Sequence, residues 1–72
     1  MKIEVSGWNL GFNKIGFTNL QRTYFDYSLT QAKANTDKLL ADETLLLEVS
    51  PEEVDELLHD MEVLGAIAKV GN

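Results

Sequence analysis

The sequence predicts an α+β fold. It is a two-layer sandwich in the order β-α-α-β-α-β, with a three-stranded antiparallel sheet covered on one face by three helices. Three observations predict it. Residues 49–66 carry a helix with a marked start, apolar stripe and stop, and strand-like stretches flank it at 44–49 and 67–70. An alternating stretch opens the chain at residues 2–6. Between the opening stretch and residue 44 lie two further segments that begin with helix caps.

Lys2-Ile3-Glu4-Val5-Ser6 alternates polar and apolar, the pattern of a half-buried strand. Gly7-Trp8-Asn9-Leu10-Gly11-Phe12 breaks that period with two glycines and reads as a loop. Trp8, Leu10 and Phe12 are expected to fold back over the core edge; the alternative is an exposed aromatic loop that grips a partner. Asn13 caps a helix running to about Phe25. At 100° per residue Phe17, Leu20 and Tyr24 form its core stripe, and Ile15, Thr18, Asn19 and Arg22 cluster on the other side. Ile15 is thereby an apolar residue with no evident burial. Gly16 lies inside the helix, where glycine costs roughly 1 kcal/mol relative to alanine. The close approach of another backbone, or of a partner, would explain it.

Asp26-Tyr27 is a turn. Ser28-Leu29-Thr30-Gln31 is a capping box that opens a second helix to about Ala41. Ala32, Thr36, Leu39 and Leu40 give it a weakly apolar inner face, and Ala32 and Ala34 would let the two helices pack closely. Residues 44–49 form a strand with Leu45, Leu47 and Val49 on one face; Leu46 points to the other, covered by the N-terminal loop or exposed. The last helix has Ser50 as N-cap, Pro51 at the first helical position and Glu53 completing a capping box. Val54, Leu57, Leu58, Met61 and Leu64 form its stripe, and Gly65 can take the left-handed conformation that ends it.

Strand directions then restrict the topology. Two antiparallel helices return the chain down the second strand, and one helix later the third strand also runs down. A fully antiparallel sheet needs the first strand in the middle. A single three-stranded sheet offers one core layer, so all three helices cover one face.

Residues 1–72 make a single domain. A chain this short buries roughly 60% of the surface it exposes unfolded. Its 44% hydrophobic content marks it as folded rather than disordered. Without cysteine it has neither disulfides nor a thiolate metal site. No signal-like N-terminus or long apolar run is present, so the chain is expected to be soluble and cytoplasmic, with no membrane association. Twelve acidic against six basic residues give a net charge of −6. Nucleic-acid binding is therefore not expected, because lysine and arginine neutralising phosphates dominate that affinity.

The residues also argue against an enzyme. The one histidine, His59, has Asp55 and Glu56 a turn before it and Glu62 a turn after. A metal site or pH switch can be built from such groups, but a lone surface histidine in an acidic helix is the simpler reading. No nucleophile elbow occurs, and Gly7 and Gly11 match no phosphate-binding loop. No cofactor and no metal are expected.

At Gly11-Phe12-Asn13-Lys14 the chain resembles the C-terminal domain of the ribosomal stalk protein of the bacterial large subunit. That family opens its first helix with a G-x-N-K run, has an arginine eight residues after the lysine, like Arg22, and continues with a leucine, alanine and lysine like Leu29, Ala32 and Lys33. Its V-S before the last helix and its glycine-alanine stop look like Val49-Ser50 and Gly65-Ala66. The resemblance runs from about Ile3 to Val70 and implies the same β-α-α-β-α-β order. It departs at Asn19, usually lysine in the family, at Gln31, usually acidic, and in the last helix, which is lysine-rich there. The family's dimerising segment and hinge have no counterpart in these residues. The layout also resembles the adaptor that hands substrates to Clp ATPases, without its acidic loop.

The resemblance implies a recruitment surface that binds translational GTPases, such as elongation factors G and Tu, through the first two helices. The positions concerned are Lys14, Ile15, Gly16, Thr18, Asn19, Arg22, Leu29 and Lys33. This includes the outward Ile15/Arg22 face found from periodicity. The leading expectation is thus a non-catalytic protein-interaction domain that binds a protein through this face. The alternative is an acidic antagonist, of immunity or phage type, binding a basic protein through the last helix around Glu56, Asp60 and Glu62. The chain is expected to be a monomer, or a weak homodimer through Leu46 and Trp8.

Overall fold

The structure, a computed structural model, describes residues 1–71. Strand β1 (Lys2–Trp8) leads to helices α1 (Lys14–Phe25) and α2 (Leu29–Leu40), strand β2 (Leu45–Glu48), helix α3 (Val54–Leu64) and strand β3 (Ala66–Gly71). The sheet order is β2-β1-β3, antiparallel throughout, with β1 in the middle as the strand directions require. Ile3 lies opposite Leu47 and Val70, and Val5 opposite Leu45 and Ala68. Ile3, Val5, Leu45 and Leu47 are buried against Phe17, Leu20, Leu39, Val54, Leu57 and Met61, so the three helices cover this one face. The other face carries Glu4, Leu46, Ile67 and Lys69. Leu46 is 64% exposed there, so the N-terminal loop does not cover it.

Helix starts follow local chemistry in two of three cases. The Asn13 side chain accepts the Gly16 N–H at 2.9 Å, and the Ser28 hydroxyl accepts the Gln31 N–H at 3.2 Å. Ser50 differs. Residues Pro51–Glu53 form a 3₁₀ turn, and the Ser50 side chain makes no cap bond. The tighter turn brings the Glu53 N–H onto the Ser50 carbonyl at 2.9 Å, so the expected capping box does not form. Gly65 ends α3 at φ 88°, as expected, with its N–H bonded to the Glu62 carbonyl.

The stretch from Gly7 also departs from expectation. β1 continues to Trp8 through a register shift between Val5 and Gly7, which restarts the ladder with Gly7 opposite Ile67 and Trp8 opposite Ala66. An extra residue in one strand absorbs the break in the apolar period. The loop after it is a tight turn: the Phe12 N–H bonds to the Asn9 carbonyl, and Gly11 takes φ 88°. Asn9 and Asn13 donate to the carbonyls of Gly65 and Leu64, clamping the turn to the end of α3. Phe12 folds back, its ring 5.5 Å from Phe17, and Trp8 tilts onto Phe12 at 6.2 Å. Leu10 does not fold back; it sits fully exposed at the turn's tip. Trp8 and Leu46 point to opposite faces of the sheet, so they do not form one continuous dimer surface.

Between α1 and α2 the packing is polar. Ala32 is buried as expected, whereas Ala34 is exposed on the outer side of α2. Thr18, Gln21 and Thr36 fill the seam, all buried. The Gln21 amide donates to the Ala32 carbonyl and to the Thr36 hydroxyl, both at 3.1 Å, and accepts from Asn35 at 2.9 Å. Among the described residues no buried side-chain nitrogen or oxygen lacks a partner. Periodicity placed Thr18 on the outward face with Ile15, but its hydroxyl turns inward, 2.8 Å from Thr36.

Candidate functional site

Three sequence features build a groove between α1 and α2. The Asn13 cap sets the start of α1, so Lys14 and Ile15 open its first turn and Thr18 and Asn19 follow one turn on. The Ser28 cap places Leu29 at the start of α2 and Lys33 one turn later. Thr18 and Thr36 hold the helices together beneath. The result is a cleft of about 240 Å³ lined by Lys14, Ile15, Thr18, Asn19, Leu29, Lys33, Thr36 and Asp37. Its apolar walls are exposed: Ile15 by 69% and Leu29 by 44%. Lys14 and Lys33 flank them, and Asp37 is the one acid in the lining.

Six of the eight residues expected at the site line this groove. Two do not. Arg22 is exposed in the last turn of α1, outside the groove lining. Gly16 faces the opposite flank of α1. A Cβ there would stand 2.7 Å from Leu64 Cδ2 and 2.8 Å from the Asn13 side-chain nitrogen. The glycine thus answers to the packing of α1 on α3 and to its own helix cap, within the molecule.

Thr36 and Asp37 were not anticipated at the site. Apolar spacing puts Thr36 on the inner face of α2, and Asp37 lies one turn after Lys33, a spacing that places both on the same side of α2.

A second cleft, about 320 Å³, runs between α1 and α3 and shares Asn19 with the first. There the Tyr24 hydroxyl donates to Asp60 Oδ2 at 2.8 Å. Burial, and then the bond to Asp60 and the negative charges of Asp60 and Glu56, push the Tyr24 phenol well above its ordinary value. Val63 lines this cleft and is exposed. His59 is exposed on α3. Among the described residues no group of three or more His, Cys, Asp or Glu comes together as a metal ion would need, and no helix is long and apolar enough to cross a membrane.

No protein-family model, curated protein or solved structure matches the chain.

Proposed function

We propose that this chain is a non-catalytic protein-interaction domain that binds its partner in the groove between α1 and α2. One observation carries the reading: Ile15 and Leu29 stand exposed in a single cleft, flanked by Lys14 and Lys33, on a chain with twice as many acids as bases. Exposed apolar side chains ringed by polar ones mark interaction surfaces. The complementary ligand is a protein segment with an apolar anchor beside carboxylates. Buried apolar anchors supply the affinity, and lysine–carboxylate pairs at the rim supply orientation and rate.

The resemblance to the ribosomal stalk domain supports the choice of face and suggests a translational GTPase as the partner. The test is a pull-down from bacterial lysate, with wild type beside an Ile15→Asp/Lys33→Glu variant and bound proteins identified by mass. A translational GTPase held by wild type and lost by the variant is the expected result. A partner retained equally by both would place the binding surface elsewhere, with the acidic face of α3 next in line.

A further inference from the structure

The two edges of the sheet are protected unequally. β2 is four residues long, ends in Glu48, and lies between Asp42-Glu43 and the Pro51-Glu52-Glu53 turn. A short strand beside charges and proline is how proteins keep an edge from pairing. β3 is longer and has no proline. It runs six residues, and its one charge, Lys69, reaches back to Glu4 at 3.4 Å. Apart from the ladder to β1, no hydrogen bond among the described residues reaches the main chain of Ile67 to Gly71. Ile67 and Val70, each 45% exposed, flank this edge on opposite faces.

We propose that β3 pairs antiparallel with β3 of a second copy of this chain, about a two-fold axis at Ala68, joining two sheets into one of six strands. The strand is self-complementary in that register. Ala66 faces the partner's Val70, small against branched, and Ile67 faces the aliphatic stem of the partner's Lys69. No like charges stand directly opposite each other, and the two Lys69 side chains, diagonal across the axis, each have Glu4 beside them, which matters for copies that each carry a net charge of −6. Pairing β2 with β2 would instead bring Glu48 and its acidic flanks together. Pairing β2 with β3 is head-to-tail and does not close. α3 rather than α1 or α2 packs over β3, so the dimer leaves the α1–α2 groove open. The pairing does not depend on the proposed function.

The test is sedimentation velocity of the full chain over a concentration series, for wild type, Ile67→Lys and Ile67→Glu. Wild type is expected to form a reversible dimer. Ile67→Lys sets two lysines opposite each other at two symmetric places and is expected to weaken the dimer roughly tenfold. Ile67→Glu faces the partner's Lys69 and is expected to dimerise at least as well as wild type. An Ala68→Cys variant adds a measurement that does not disturb charge. The chain has no other cysteine, and directly opposite residues lie within disulfide range, so it should oxidise to a covalent dimer. A wild type that stays monomeric throughout overturns the proposal. So do equal behaviour of the two Ile67 variants, growth beyond a dimer, or an oxidised Ala68→Cys chain that remains single.

Discussion

The Thr18 hydroxyl of α1 lies 2.8 Å from the Thr36 hydroxyl of α2, both side chains buried beneath the groove. Either hydroxyl can be the donor, since Thr18 has the Lys14 carbonyl at 2.9 Å and Thr36 the Ala32 carbonyl at 3.0 Å as the other acceptor, and Thr36 also accepts from Gln21. These bonds set how far apart Ile15 and Leu29 stand, and so the width of the groove. Thr36→Val keeps the volume but removes the shared oxygen. Urea unfolding should show a loss of about 1–2 kcal/mol, because Thr18 is left with the Lys14 carbonyl alone and Gln21 loses one partner while keeping the Ala32 carbonyl and Asn35. A change indistinguishable from zero would mean the hydroxyl pair does not hold the helices.

Helix caps give a contrast within one chain. Asn13→Ala and Ser28→Ala each remove a side-chain bond to a helix N–H and should each cost about 1 kcal/mol in denaturant unfolding. Ser50→Ala, whose side chain makes no such bond, should stay within about 0.5 kcal/mol of wild type.

Much of the architecture was legible from residue order. The three-helix, three-strand sequence follows from period and caps, and the central place of β1 follows from strand directions alone. Ile15 was recognisable as outward because apolar period leaves it out of the core stripe. What period could not reveal is the polar seam. Thr18, Gln21 and Thr36 are buried because they bond one another, and a count of apolar spacing is blind to that. Gly16 was misread for a related reason: what crowds it, Leu64, comes from a helix 48 residues further along. At Ser50 two local signals competed, and backbone bonding in the 3₁₀ turn displaced the side-chain cap.

The two left-handed glycines should differ in cost. Gly11 and Gly65 both sit at φ 88°, where a side chain is strained by about 1–2 kcal/mol. A Cβ at Gly11 meets nothing within 4 Å, whereas one at Gly65 would lie 3.1 Å from the Phe12 Cα. Gly65→Ala should therefore destabilise more than Gly11→Ala, by about 1 kcal/mol further, since backbone cannot step aside as a side-chain tip can. Equal melting temperatures for the two variants would mean the clamp between turn and α3 yields freely.

Tyr24 makes stability fall at alkaline pH. Its phenol holds its proton more tightly folded than unfolded, so its contribution is complete below about pH 10, the ordinary phenol value, and is lost as pH rises beyond it. Tyr24→Phe should lose about 1 kcal/mol near neutrality through the missing bond to Asp60. The gap between wild type and variant should close as pH climbs past 10. A gap that stays constant across that range would show that the phenol is not linked to folding.

The claim that the α1–α2 groove is the binding surface is tested most directly by titrating the isotope-labelled chain with purified elongation factor G and following its amide signals. The predicted result is a set of shifts or broadenings centred on Lys14, Ile15, Asn19, Leu29 and Lys33, abolished in the Ile15→Asp/Lys33→Glu variant. Changes centred instead on α3, or binding that the double variant leaves intact, would contradict it.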